Sequence, residues 1–218
     1  MIAEKEIIAK LKEALEKSKK RKFTQSFDLS IGLKGLDMKN PNNHVDEVIV
    51  LPFMRGKDIK VCGLVDKEMQ TTAKEFFDKV IMKDEFPKWQ ADKKGMKNLA
   101  GEYDFFVAQA NIMGDVAKTF GRVFGPKGKM PNPKASCVVP PNVKLDLVIE
   151  RLKKTIVLKA KKSPVLNVRI GTEKESLEEI SKNIHAIIEH LNAHLPNGEQ
   201  NIKHIYLKTS MGPSIRVD

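Results

Sequence analysis

Cysteine and aromatic residues are scarce: two cysteines, one tryptophan and two tyrosines in 218 residues, with aromatics at 6%. Cys62 lies in an apolar run and Cys137 just before Val138 and Val139, and no CxxC occurs. That excludes a disulfide framework and a cysteine-rich zinc knot, and it reads as two small buried thiols in a reducing compartment. A chain of this length needs no such staples to bury a core. No apolar run approaches the roughly 20 residues of a membrane span, and the opening Met1-Ile-Ala-Glu-Lys-Glu carries acids where a signal peptide carries an apolar core. The expectation is a soluble cytoplasmic protein with no membrane partner. Acidic residues are also short, 28 against 39 Lys and Arg, for a formal net charge of +11. Such a surplus suits a polyanion such as nucleic acid, although excess lysine also serves plain solubility.

Catalytic signatures are missing as well. Gly125-Pro-Lys-Gly-Lys-Met-Pro131 has glycines to free backbone amides and lysines to supply charge, as a phosphate loop would. Its spacing is wrong, because a Walker loop has four residues between its glycines and a Ser or Thr after its Lys. A tight turn leaving a helix and an exposed anion-contacting loop fit the segment about equally. Gly63 stands alone in its apolar run, so no GxGxxG supports a dinucleotide site. His190 and His194 are four apart on a predicted helix, but they lack the Glu of HExxH and show no third ligand, so they read as surface histidines. Cys62 has no local activating group. The reading is of a protein with no catalytic residues, metal or cofactor.

Periodicity divides the chain into two styles. Ile8, Leu11 and Leu15 predict an amphipathic helix over 4–18, followed by Lys19-Lys20-Arg21-Lys22. Phe27, Leu29, Ile31 and Leu33 alternate with Asp28, Ser30, Gly32 and Lys34, the period of a strand with one buried and one polar face. A turn at 40–43 and a strand at 48–51 follow. After Arg55-Gly56-Lys57 the tempo changes, and strands at 59–65, 80–82 and 105–108 alternate with helices at 67–79, 88–101 and 112–123. That is the signature of a wound parallel sheet. A helix at 144–154, strands at 156–158 and 165–170, a helix at 176–191 and a strand at 205–207 complete the pattern. The expected fold class is α/β in two domains: a discontinuous α+β domain from 1–66 and 160–218, and an inserted α/β domain, 67–159. Two sequential domains fit the same periodicity. Both parts carry a basic surplus, so charge alone does not say which one binds.

Ser26-Phe27-Asp28, the Gly125-Pro-Lys-Gly-Lys-Met-Pro131 segment and Met211-Gly-Pro-Ser214 occur in one chain of this length. With them the sequence closely resembles the ribosomal protein L-one family, over essentially its whole length. Phe23-Thr-Gln-Ser-Phe27 and Leu36-Asp37-Met38-Lys39 point to the archaeal form. The resemblance implies a split β-α-β domain made from both chain ends, with a Rossmann-like, three-layer domain inserted through a two-strand hinge. It also implies large-subunit ribosomal RNA as partner, a place in the mobile stalk near the exit site, help in releasing deacylated tRNA, and repression through the protein's own mRNA. Off the ribosome a monomer is expected.

Carried over position by position, the family's RNA-binding residues fall on Phe27, Ser30 and Lys34 of the first strand, and on Thr209, Ser210, Met211 and Gly212 near the end. Lys159, Lys161, Asn167 and Gly171 match more loosely. Ser210 stands where the family has Thr, which keeps a hydroxyl and drops a methyl. Small hydroxyl donors and free backbone on a rigid sheet suit the shallow minor groove of an RNA helix. Phe27 either stacks on RNA or supports the strand from beneath. The rival readings are an enzyme using the α/β part to hold a nucleotide, and a basic protein-interaction module.

Overall fold

A computed structural model describes residues 4–40, 43–56, 58–141 and 143–217. Its elements in chain order begin with α1 (Glu4–Glu16), β1 (Ser26–Leu33), β2 (Val45–Val50), β3 (Val61–Val65), α2 (Gln70–Phe76) and β4 (Lys79–Met82). Then come α3 (Phe86–Ala91), α4 (Lys93–Glu102), β5 (Phe105–Gln109), α5 (Met113–Lys127), β6 (Val138–Val139) and α6 (Leu145–Lys154). The chain closes with β7 (Thr155–Ala160), β8 (Val165–Thr172), α7 (Leu177–His194), β9 (Ile202–Thr209) and β10 (Ile215–Arg216). The fold is mixed α/β, with one parallel sheet and two antiparallel ones. It separates into two units, Met1–Lys57 with Lys154–Asp218, and Asp58–Lys153.

In the discontinuous unit, Phe27, Leu29, Ile31 and Leu33 are buried and residues 28, 30 and 32 face the other way, half-buried. The sheet order is β10-β9-β1-β8, so a strand from one end of the chain is flanked on both sides by strands from the other. Its apolar rows share one core with α1 and α7, through Ile180, Ile184, Ile187 and Leu191 of α7. On α1 the buried stripe is Ile7, Leu11 and Ala14, and the expected Ile8 and Leu15 are only half-buried. The helical spacing holds but its phase differs, because the face packed into the core with α7 and β9 runs through Ile7, Leu11 and the small Ala14. β2 and β7 form a separate two-stranded ribbon, paired from Val45↔Ala160 to Val50↔Thr155. The turn expected at 40–43 is closed by the Asn43 N–H donating to the Asn40 carbonyl, while residues 41 and 42 lie outside the described residues.

The inserted unit is built on a parallel sheet of order β4-β3-β5-β6. Cys62, Leu64, Phe106 and Ala108 face a core shared with Phe86, Leu99, Phe120 and Phe124 of α3, α4 and α5. The Phe106 and Phe124 rings lie 4.1 Å apart, and Phe120 and Phe124 5.0 Å. On the opposite face Gly63 leaves room for Phe77, whose ring would sit 2.4 Å from an added Cβ. The helix expected over 88–101 breaks at Asp92, whose carboxylate caps α4 by accepting from the Gly95 N–H at 2.8 Å. The unit boundaries fall at 57/58 and 153/154, where 66/67 and 159/160 were expected. Strands settle with their hydrogen-bond partners: β3 pairs with β4 and β5, and β7 with β2 along its whole length.

Candidate nucleic-acid interface

β1 gives the discontinuous unit its open face. Across the sheet Ser30 stands opposite Asn167 on β8 and Tyr206 on β9, and Asp28 opposite Arg169 and Lys208. Tyr206 in turn pairs with Arg216 of β10. These side chains are half-buried or exposed, on the face away from α1 and α7. The result is a polar surface with a hydroxyl and an amide at its middle, an aromatic ring beside them, and the Asp28 carboxylate between the cations Arg169 and Lys208. The rings of His204 and Tyr206 lie 6.0 Å apart on it.

At one end of the sheet a short turn is held in place by a partly buried polar network. The Gly212 N–H donates to the Thr209 carbonyl (3.2 Å), and the Ser210 N–H donates to the Ser26 carbonyl (3.0 Å). The Ser26 N–H returns a bond to Ser210 Oγ (3.1 Å). Gln25, only 2% exposed, donates through Nε2 to Ser18 Oγ (3.1 Å) and to the Lys19 carbonyl (3.3 Å), and its Oε1 accepts from the Met211 N–H (3.3 Å). Thr209 Oγ1 donates to Ser18 Oγ (3.0 Å). An added Cβ on Gly212 would come within 2.2 Å of Thr209 Oγ1, so only glycine fits. Polar networks satisfied in this way hold one geometry. They fasten the turn to the stretch that carries Lys19, Lys20, Arg21 and Lys22, all exposed, and leave Phe23 and Met211 in solvent at 52% and 61% exposure.

The expected site residues sort by what they can touch. Ser30, Asn167 and Met211 are accessible, and Ser210 is half-exposed with its hydroxyl occupied by Ser26. Phe27 is fully buried under the sheet, which corrects the stacking reading and leaves support. Thr209 is likewise buried, with its hydroxyl on Ser18. Gly171 belongs to helix packing, because an added Cβ would meet Glu175 Oε2 at 2.6 Å and Ile180 Cγ1 at 2.9 Å. Lys34 is exposed just beyond β1, at the end of the strand away from Ser210, and its N–H donates to the Asn201 carbonyl. Lys159 and Lys161 belong to the β2–β7 ribbon and its exit, and Lys161 pairs with Asp46 at 2.7 Å. Gln25, Arg169, Tyr206 and Lys208 were missed. The alternation of residues 203–209 could have revealed Tyr206 and Lys208; Gln25 has no local signal, since its partner Met211 is far along the chain.

The glycine-lysine segment is a helix end. Gly125, Pro126 and Lys127 form the last turn of α5, and Gly128 caps it at φ 63°. Lys127 Nζ donates to the Lys97 carbonyl in the middle of α4 and Lys129 Nζ to the Tyr103 carbonyl at its end, so both lysines tie the end of α5 to α4. The crevice where a nucleotide would sit, beyond the carboxyl ends of β3 and β5, is bridged by Gln109 Oε1 accepting from the Asp66 N–H at 3.0 Å. Burial pushes the Cys62 thiol up to about 12 and Cys137 up to about 11, far from a reactive thiolate.

A firmly held turn thus lies beside a polar sheet face that the helices of its own unit do not cover. The model of the Ribosomal protein L1p/L10e family matches residues 15–213. The Large ribosomal subunit protein uL1 of Methanothermococcus thermolithotrophicus is 41% identical over 212 residues, 97% of each chain. Its counterpart in Methanocella arvoryzae is 42% identical over 217 residues, 99% of this chain and 100% of its own. That of Pyrococcus horikoshii is 37% identical over 213 residues, 97% and 95% of the two chains. The chain belongs to the ribosomal protein L1p/L10e family, and its role is structural, not enzymatic. Among the described residues no helix is long and apolar enough to cross a membrane.

Proposed function

We propose that this protein is a cytoplasmic constituent of the large ribosomal subunit that binds large-subunit ribosomal RNA through its discontinuous unit. In this reading that unit is the split β-α-β domain of the family, and Asp58–Lys153 is the inserted Rossmann-like, three-layer domain. The supporting observation is the Thr209–Gly212 turn, clamped by Gln25 and Ser18 next to four exposed cations. A rigid turn with Gly212 and its bound hydroxyls lets a sugar-phosphate backbone approach closely beside the exposed Met211, and the sheet presents Ser30 and Asn167 to 2′-hydroxyls. Lysines and arginines at the edge supply the sequence-independent, salt-dependent part of the affinity. From the family, the reading extends to a place in the mobile stalk near the exit site, release of deacylated tRNA, repression through the protein's own mRNA, and a monomeric state off the ribosome.

The test uses Met211→Asp with Asn167→Ala. Both side chains are exposed, so the fold is kept; Ser210 is a poor choice because its hydroxyl closes the sheet end. The double variant is expected to lose at least about tenfold in affinity for a large-subunit ribosomal RNA transcript, about 1.4 kcal/mol, with an unchanged circular dichroism spectrum. Wild-type affinity in a filter-binding assay would overturn the assignment of this face.

A further inference from the structure

The two histidines on consecutive turns of α7 gain a third partner from a distant element. One ring nitrogen each of His190 and His194 and a carboxylate oxygen of Glu47 on β2 all lie within 4.8 Å of one another. The two imidazoles are stacked, 3.9 Å apart and 21° from parallel. His194 Nδ1 lies 2.8 Å from the His190 carbonyl, and a ring nitrogen facing a carbonyl carries the proton, so Nε2 keeps the lone pair. His190 Nε2 is buried with no hydrogen-bond partner among the described residues. A buried nitrogen in that state costs free energy that a ligated cation would recover. Beside the cluster is a cavity of about 90 Å³ whose lining includes His44, Glu47, Leu191, His194 and Pro196, roomy enough for coordinating water.

We propose that Glu47, His190 and His194 bind a divalent transition cation of the zinc class, with two imidazole nitrogens, one carboxylate oxygen and water in the open position. Two imidazoles and a carboxylate suit zinc and disfavour a hard cation such as magnesium. Metal–ligand bonds of about 2.0–2.2 Å run along the in-plane lone pairs, so the stacked imidazoles must turn out of parallel as the three groups close in on the ion. His194 is exposed and Glu47 half-buried, so both side chains have room to do so. The ion would fasten the carboxyl-terminal turns of α7 to β2, a structural role independent of RNA binding.

The experiment takes the full chain, stripped with chelator, and titrates it with zinc chloride by calorimetry and with Co²⁺ by visible absorption. The expected result is one saturable site per chain, a Co²⁺ spectrum of low coordination number, and a zinc-dependent rise in melting temperature. His190→Ala and, separately, His194→Gln should each weaken zinc at least about tenfold and abolish the thermal shift. His194 is exposed, so His194→Gln keeps the fold, checked by circular dichroism. Millimolar Mg²⁺ should not displace Co²⁺. Absence of saturable binding overturns the proposal, as does full zinc affinity in folded His194→Gln or displacement by Mg²⁺, which would place the ion on ordinary surface carboxylates.

Discussion

The molecule contains two four-stranded sheets that use their faces in opposite ways. In β10-β9-β1-β8 one face is core and the other is open, so apolar and polar residues alternate along β1. In β4-β3-β5-β6 every residue of β3 is buried, with Cys62 and Leu64 toward one set of side chains and Gly63 toward Phe77. Of these two sheets, the first leaves a whole face of alternating polar residues uncovered by its own helices among the described residues. Net charge does not divide the two units, but their basic motifs differ: residues 19–22 stand exposed at the end of the antiparallel sheet, whereas Lys127 and Lys129 donate to carbonyls of their own unit. The glycine-lysine segment that looks most like a phosphate loop is therefore part of the scaffold, and the plain hydroxyl turn near the carboxyl end is the better candidate for contact.

The sharpest way to break this comparison is to damage both cores equally. Phe27→Ala and Phe124→Ala each empty a site with no exposure and should each cost about 3–5 kcal/mol of stability in chemical denaturation. Under conditions where both variants remain mostly folded, only Phe27→Ala should lose ribosomal RNA affinity, because Phe27 underlies the open face. Equal losses from both would mean that the inserted unit takes part in binding. Charge gives the next largest contrast. Lys20→Glu, Arg21→Glu and Lys22→Glu together should flatten the dependence of log affinity on log salt by about one for every phosphate that is no longer neutralised. Lys127→Gln with Lys129→Gln should leave that slope alone and cost about 1–3 kcal/mol of stability, from two charged hydrogen bonds. A slope that changes in the second variant and not in the first would reverse the assignment.

Elements whose periods are long enough were legible in the sequence. β1, β8 and α7 were expected close to where they lie, since each repeats its apolar spacing several times, and β5 was expected from its continuous apolar run. β6 and β10 were not, because two residues carry no period. The phase of α1 depended on Ala14, too small to stand out in an apolar count. Boundaries shifted for β3 and β7 because pairing, not pattern, decides which unit a strand joins. In the candidate site, Ser30 and Met211 were foreseen as accessible, but Gln25 joins Ser18, Glu173 and Met211 through contacts that only folding brings together. Glu47 is a similar case, being far from His190 and His194 in the chain.

The smallest expected effect tests what the open face reads. Ser30 lies mid-strand, and its hydroxyl is not part of the core, so Ser30→Ala should change stability by less than about 0.5 kcal/mol. If the hydroxyl meets a ribose 2′-OH, the substitution removes one net hydrogen bond, about 1 kcal/mol, or roughly fivefold in affinity. The same substitution measured on a transcript carrying 2′-deoxy sugars at the protected positions should then cost almost nothing, because the partner is already gone. A loss of equal size on both transcripts would place Ser30 against phosphate, where it could not tell ribose from deoxyribose. No loss on either would remove β1 from the contact surface and leave the clamped turn to bind alone.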